Sequence, residues 1–506
     1  MSIPNENHRA FFGTWRFWAS LALGLACISL TVAFAVRTAG LAIDDFYITY
    51  RYAWHLAHGD GFVFNLGESV FGLSNPGLAI VLAGLHWISG APIEILATIV
   101  FAIGLVGIVA CLLRSAPDRD TWPEILLGGV LLLSSPFVWK SQGSETSLAL
   151  VLLLASASFA ERRPILAGLL GGAAVWMRPD TGLGLAVLGV LLIHAQKRLP
   201  WRWAVTAALV IVGGALAAYA TFGTILPITF ESKRYLAEVT GGSGFGARGY
   251  WMAGWARWLQ LSGVWGRALL LFGVIGFGAV FRRWGLCGRL LVGYGVVNIL
   301  VYPHLGVPFS IWYAFPFAVS ILFAFGAAAF AAWRTARAAW SARRRTLAGF
   351  SGLLVLAATV TLVGSLVWSL GWLRGFEELP RQRAYREAAL WIRQNSKPEE
   401  SIAFLEIGVL GYYSDRTVED LLGLVTPRSL PYIAKKDLVG AFLAHPTPLF
   451  LCHTGRRSTR YIIQQPWFQR AYREVARFPA TGSGGIVLVF RRIPRQRIPP
   501  PRPPLG

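Results

Sequence analysis

Asp44 and Asp45 stand side by side just beyond the first apolar run, in the string Asp44-Asp45-Phe-Tyr-Ile-Thr-Tyr-Arg51-Tyr52. Adjacent carboxylates at a membrane boundary are costly unless they are solvated, paired or bound to a cation. A carboxylate beside a like charge in a partly desolvated site holds its proton more tightly, which suits a general base. The same pair fits a helix start equally well, with Asp44 as the cap and Asp45 in the first turn of an amphipathic helix reaching His58. Tyr47, Tyr50, Arg51 and Tyr52 offer sugar-stacking and anion-binding chemistry, although aromatic belts at membrane interfaces have the same composition. Gly59-Asp60-Gly61, Asn65-Leu-Gly67-Glu68 and Ser74-Asn75-Pro76 continue the loop.

The elements that must hold these residues are membrane spans. Of 506 residues only 14% are charged and 55% are apolar, with a mean hydropathy of +0.53. A soluble domain carries about a quarter charged residues, so a soluble enzyme, a disordered chain and a nucleic-acid-binding domain are excluded as the main body. Apolar runs long enough for the hydrocarbon core predict eleven spans, at 17–36, 93–113, 124–138, 147–160, 164–177, 181–195, 203–222, 262–281, 290–302, 311–333 and 347–373. The run 76–90 is short and reads as an interfacial or re-entrant helix. The first span is too long in its apolar core for a cleavable signal peptide. Four scattered cysteines show neither metal nor disulfide spacing.

The net charge is +22. With the N-terminus placed in the cytoplasm, the inside segments hold seventeen basic residues and the outside loops before residue 374 hold eight. That asymmetry follows the positive-inside rule and puts the C-terminal segment outside. The outer face then carries Asp44, Asp45, Asp60, Glu68, Glu94, Glu145, Asp180, Glu231 and Glu238. From residue 374 the chain turns polar and Arg-rich, with 21 basic against 11 acidic residues. Helical patterns at 377–395 and 437–443 alternate with strand patterns at 401–407, 448–452 and 485–491, enough for a small α/β domain over 374–492. Residues 493–506 form a Pro- and Arg-rich tail expected to be disordered.

The loop DDFYITYRYAWHLAHGDGFVFNLGESVFGLSNPGL resembles the first external loop of GT-C glycosyltransferases that use polyprenyl-phosphate sugars. It is most similar to that of the mycobacterial-type terminal arabinofuranosyltransferase group. Ser141-Gln-Gly-Ser-Glu145-Thr resembles the family's G-[LM]-E-T motif, and Met177-Arg178-Pro179-Asp180 its R-P-[DE]-G motif. Segments 402–408, 411–416 and 420–424 resemble the opening of its external domain. Ser144 replaces the usual Leu or Met, Thr181 stands where Gly is expected, and Gly72-Leu-Ser74-Asn75-Pro76 replaces Gly-Tyr-Thr-Ser-Pro.

The resemblance implies a polytopic α-helical membrane protein of about eleven spans (residues 1–373), GT-C-like, with a small extracytoplasmic α/β domain. The first external loop would cover 37–92 and the long external loop 223–258. It further implies an inverting transfer from a polyprenyl-phosphate sugar to an envelope glycan or glycolipid, at the outer face of the bacterial inner membrane. Asp44 or Asp45 would be the base, with Asp44 slightly preferred for its closeness to the membrane boundary. Arg178, Lys233, Arg234 and His304 would receive the leaving phosphate, and Arg51, Tyr52, Glu68, Glu145 and Asp180 would contact donor or acceptor. No cofactor is fixed by the residues, although Asp45 and Glu145 would suit an oxygen-ligated Mg, Ca or Mn ion. Gly241–Gly246 suits a flap. Asp415, Asp420, Tyr412 and Tyr413 either line the acceptor cavity or cap and pack the external domain. Partners are the bilayer, donor and acceptor, with no nucleic acid. A transporter or flippase of lipid-linked sugars, and a catalytically degenerate envelope scaffold, are the competing readings.

Overall fold

The computed structural model describes residues 6–240, 246–480 and 485–500, with side chains from 17 onward except at 234 and 236–240. Gly241–Gly244, in the expected flap, and residues 501–506 of the expected tail lie outside the described residues. Each expected span is occupied by a helix: Glu6–Thr38, Ile93–Arg114, Trp122–Ser134, Thr146–Phe159, Pro164–Met177, Thr181–Gln196, Trp201–Phe222, Gly266–Arg283, Gly285–Val301, Phe315–Ser341 and Arg345–Arg374. Two boundaries move for reasons of proline chemistry. The expected span 124–138 stops at Ser134, ahead of Pro136, because proline removes a helical N–H and clashes with the preceding turn. The expected span 311–333 starts at Phe315, with Pro316 in the first turn, where its missing N–H costs nothing.

Among the described residues seven helices are long and apolar enough to cross a membrane: Phe17–Thr38, Ile93–Arg114, Trp201–Phe222, Gly246–Arg283, Gly285–His304, Phe315–Ser341 and Arg345–Arg374. Val36, Leu209, Leu216, Leu353 and Val367 point outward, a surface that only lipid covers without penalty. The four shorter helices among the expected spans supply interior packing, as with Leu132 and Leu133 of Trp122–Ser134 and Leu153 and Leu154 of Thr146–Phe159. The expected interfacial segment is the helix Pro76–Ser89, whose Trp87 and Ile88 are exposed at its end.

The C-terminal domain is a five-stranded mixed sheet with strand order β2-β1-β3-β5-β4. The strands are β1 (Ile402–Phe404), β2 (Val418–Asp420), β3 (Leu449–His453), β4 (Tyr472–Ala480) and β5 (Gly485–Arg492). β2, β1 and β3 run parallel, and β5 is antiparallel to both β3 and β4. The helix Pro380–Asn395 buries Ala384, Tyr385, Ala388, Ala389 and Ile392 at helical spacing, the apolar stripe expected of it. Asp437 caps the helix Leu438–Ala444 by accepting the Gly440 amide at 2.7 Å.

This domain sits on the helix Asp44–His58, and one apolar cluster runs through both, from Phe46, Tyr47 and Tyr52 to Tyr385, Leu410 and Val418. Asn65 pairs with both backbone groups of Val418 at 3.0 Å, and Gln382 donates to the Ala42 carbonyl at 3.0 Å.

Candidate active site

Two residues adjacent on a helix point about 100° apart, so Asp44 and Asp45 cannot face the same way. Asp44 is turned to the external domain and buried, with its carboxylate accepting the amides of Val409 at 2.8 Å and Gly408 at 3.2 Å. Those amides open the helix Gly408–Ser414, whose free N–H groups need an acceptor. A Cβ on Gly408 would lie 1.8 Å from the Asp44 carbonyl oxygen, so only glycine allows this approach. The preference for Asp44 as base therefore gives way: its carboxylate is occupied in joining the two domains.

Burial, with Glu406 and Asp45 nearby, pushes Asp44 up to about 7 in spite of its two amide donors. A carboxyl raised above its unfolded value stabilises the fold while protonated. That contribution is full below about pH 4 and is lost as pH rises through about 7. Asp44→Asn keeps an acceptor oxygen and cannot ionise. It is expected to flatten the fall in thermal stability between about pH 4 and pH 7, at a cost of about 1 kcal/mol for the weaker cap. An unchanged slope in detergent-solubilised protein would show that Asp44 does not set it.

Asp45 faces the other way. It is exposed into an open cavity of about 510 Å³, lined also by Phe46, Thr49, Asn75, Glu145, Lys233 and Trp312. Among the described residues no hydrogen bond or ion pair occupies its carboxylate. Its low-dielectric surroundings raise its pKa, with Lys233 pulling in the opposite direction and Glu406 adding to the rise. Lys233, on the helix Thr229–Thr240, donates to the Tyr313 hydroxyl at 3.0 Å; burial lowers its pKa, but Tyr313 and the nearby charge of Asp45 raise it on balance.

Behind the cavity wall, joined to it through Glu145 and Asn75, lies a buried charged cluster. Arg178 forms ion pairs with Glu145 at 2.7 Å and Asp180 at 2.6 Å and donates to the Tyr302 hydroxyl at 3.1 Å. Tyr302 donates to Asp180 at 2.8 Å, and Asn298 does so at 3.3 Å. The other Glu145 oxygen accepts from Asn75 at 2.7 Å, and Asn75 accepts from Thr49 at 2.8 Å. Tyr313 stacks on Tyr302 with centroids 4.6 Å apart and lies under the guanidinium of Arg178. Asp45, Glu145, Arg178, Asp180 and Lys233 thus converge as expected residues, joined by Asn75, Tyr302 and Tyr313.

Glu145 is mounted by Gly143. That glycine has φ +82°, and a Cβ there would lie 2.2 Å from the Tyr50 hydroxyl, which donates to the Gly143 carbonyl at 2.8 Å. Gly143→Ala is expected to cost about 1–3 kcal/mol through left-handed strain and the clash. A thermal midpoint equal to wild type would contradict a fixed turn at this point.

The remaining expected residues lie elsewhere. Arg51 is buried with its guanidinium on the carbonyls of Gly411 (2.6 Å) and Arg416 (2.8 Å), so it binds the external domain and not a donor. Tyr52 is fully buried and bonded to the backbone at Val70 and Gly72, and Glu68 accepts from Asn65 at 3.0 Å. His304 is exposed on the turn Tyr302–His304 and does not line the cavity; Tyr302 of the same turn bonds to Arg178 and Asp180 behind the wall. The Arg234 side chain lies outside the described residues. Asp420 accepts the amides of Leu422 (2.8 Å), Leu424 and Val425 (3.2 Å), while Tyr412 and Tyr413 pack on Tyr47, so these three shape the external domain.

The cation suggested for Asp45 and Glu145 does not suit this geometry. Both Glu145 oxygens are taken by Arg178 and Asn75, and among the described residues no three His, Cys, Asp or Glu side chains gather as a metal site.

Comparison with known proteins bears on the frame that holds this cluster. A family described as a domain of unknown function (DUF8728) matches residues 375–493, the external domain. No curated protein matches the chain in sequence. The structure of ArnT from Cupriavidus metallidurans bound to undecaprenyl phosphate is similar with a TM-score of 0.59 at 13% identity, covering 94% of this chain and 98% of that one. The apo state of the same ArnT gives 0.56 at 13% identity with the same coverage. The apo Archaeoglobus fulgidus oligosaccharyltransferase gives 0.52 at 13% identity over 88% of this chain and 70% of its own. The fold is GT-C-like. In this GT-C-like protein the helix Asp44–His58 lies between the membrane bundle and the external domain, one flank bound to each. That placement leaves Asp45 free while Asp44 and Arg51 are fully engaged.

Proposed function

We propose that this protein is a glycosyltransferase that moves a sugar from a polyprenyl-phosphate donor to a hydroxyl of an envelope glycan or glycolipid, with inversion. The reaction takes place at the extracytoplasmic face of the bacterial inner membrane, with the N-terminus in the cytoplasm. The observation that carries this reading is the open cavity in which an unpaired carboxylate, Asp45, and a cation, Lys233, share the walls, with the buried Arg178 cluster behind them. Asp45 takes the acceptor hydroxyl's proton as its oxygen bonds to the anomeric carbon. The bond from that carbon to the phosphate oxygen breaks on the opposite face. Its electron pair leaves with the polyprenyl phosphate, whose developing charge Lys233 stabilises, with Arg178 behind it. ArnT, solved with undecaprenyl phosphate and alike over nearly its whole length, supports a lipid-phosphate donor here too. The likeness of residues 44–77 to arabinofuranosyltransferase loops makes arabinofuranose the first sugar to try.

The test is transfer by the purified full chain in nanodiscs. Radiolabelled decaprenyl-phosphoryl arabinofuranose is supplied first, then other polyprenyl-phosphoryl pentoses and hexoses, with extracted envelope glycolipids as acceptor. Label in the glycolipid fraction with release of polyprenyl phosphate is expected. Failure of every donor to release polyprenyl phosphate would overturn the reading.

A further inference from the structure

The external domain brings the carboxyl ends of its parallel strands close to the helix that carries Asp45. β2, β1 and β3 are parallel neighbours in that spatial order, so the chain leaving β1 goes to one side of the sheet and the chain leaving β3 to the other. In open α/β sheets, ligands bind where the order reverses, at the carboxyl ends of the two diverging strands. The residues just past those ends are Leu405, Glu406 and Ile407 after β1, and Thr454, Gly455 and Arg456 after β3.

Two cations meet one anion there. Arg456 is ion-paired to Glu406, and Arg381, in the first turn of Pro380–Asn395, stands 3.5 Å from the same Glu406 oxygen. The other Glu406 oxygen is buried and has no hydrogen-bond partner among the described residues. The arginine side chains are 29% and 40% exposed, so their outer N–H groups reach solvent. These strand ends adjoin the helix start at Asp44-Asp45: the amide of Gly408, two residues past Glu406, is on Asp44, and Gln382, next to Arg381, is on the Ala42 carbonyl. The charges of Arg381 and Arg456 reach Asp45 and draw its carboxyl toward ionisation alongside Lys233. Asp45 is thus flanked by cations from two elements. Lys233, with Tyr313 and Arg178 behind it, serves the donor phosphate, whereas Arg381 and Arg456 have no role in that half of the reaction.

We infer that Arg381 and Arg456 form an acceptor subsite, which holds an oxyanion of the acceptor, phosphate or carboxylate, next to the hydroxyl that Asp45 deprotonates. The planar fork of a guanidinium matches either oxyanion with two parallel N–H bonds. Glu406 aligns both guanidiniums and leaves one positive charge of the pair uncompensated. The excess of 21 basic over 11 acidic residues beyond position 373 favours approach of such an acceptor. The inference rests on the transferase reading for the identity of Asp45 as base, and its test is a binding measurement separate from turnover.

The full chain in nanodiscs is saturated with decaprenyl phosphate to fill the donor side, then titrated with phenyl phosphate or phenyl β-glucuronide by ligand-observed NMR. Wild type is expected to bind at least one probe, and which one binds tells a phosphate-bearing from a carboxylate-bearing acceptor. Arg381→Gln with Arg456→Gln is expected to weaken that binding about tenfold or more, and to leave decaprenyl phosphate binding, which reports a folded donor side, unchanged. Binding of neither probe by wild type, or equal binding by the double variant, would overturn the inference. Failure of decaprenyl phosphate itself to bind would instead count against the donor assignment. The probes are then titrated without it, against a Lys233→Gln variant, and the same two outcomes decide.

Discussion

Asp45→Asn is expected to lower the turnover number for sugar transfer by about 10²–10⁴-fold, the range for loss of a positioned general base. The thermal midpoint should stay within a degree or two of wild type, on the order expected for a residue whose carboxylate has no hydrogen bond or ion pair among the described residues. The reciprocal variant, Asp44→Asn, should behave the opposite way: a measurable change in stability and its pH dependence, with transfer largely kept, because its carboxylate meets amides of the helix Gly408–Ser414 and not the cavity. Steady-state assays on both variants, with circular dichroism melts on the same preparations, separate the two roles. Full activity in Asp45→Asn beside a stably folded but inactive Asp44→Asn would reverse the assignment. The pH profile adds a second readout. A base works ionised, so kcat/KM should fall as pH drops through the Asp45 pKa, which burial and Glu406 place above the ordinary carboxylate range. Lys233→Gln removes a cation that favours ionisation, so it should move that fall to higher pH as well as slow departure of the phosphate.

What could be read from the sequence, and what could not, divides along one physical line. Apolar runs are local, and each expected span proved helical. Arg178 and Asp180 come from one short string, so their joint placement was legible as well. The contacts of the helix Asp44–His58 are not local: Arg51 meets Gly411 across 360 positions, and Asp44 meets Val409 across 365. Nothing near Arg51 or Tyr52 tells which flank of that helix the external domain covers, so both read as substrate contacts, whereas their polar atoms are bonded to backbone groups of the protein. His304 drew attention as the titratable residue of its turn, while the contact is made by the tyrosine two places earlier, whose phenol reaches Arg178 and Asp180. β4 was missed because Arg473, Glu474 and Arg477 are polar and Pro479 falls inside it, a pattern that an edge strand tolerates and a central strand does not. Arg381, Glu406 and Arg456 carry no local signal at all, since Glu406 and Arg456 meet through the parallel pairing of β1 with β3 and Arg381 reaches them from the helix Pro380–Asn395.

Removing Arg178 should be the most damaging single change to stability. Its side chain is 7% exposed and balances two carboxylates, Glu145 and Asp180, that are 8% and 9% exposed. Breaking a buried pair by deleting one partner strands the other charge in a low-dielectric site, which costs about 3–5 kcal/mol. Arg178→Ala strands two, so it is expected to reach at least the upper part of that range and to lower expression of folded protein sharply. The decisive measurement is a comparison of variants, because loss of activity in an unfolded protein says nothing of chemistry. Arg178→Met with Glu145→Gln and Asp180→Asn removes all three charges together. It should recover much of the stability, since the desolvation penalty disappears with the ions. It should still be inactive, because no positive charge remains behind Lys233 to stabilise a leaving phosphate. Arg178→Lys keeps the charge but cannot hold Glu145, Asp180 and Tyr302 at once through one planar group. It should fold and turn over slowly, with the loss in kcat exceeding the change in KM. A triple variant as unstable as Arg178→Ala would mean that the cluster's packing, and not its charge balance, holds this wall together. An active triple variant would mean that Lys233 alone receives the phosphate.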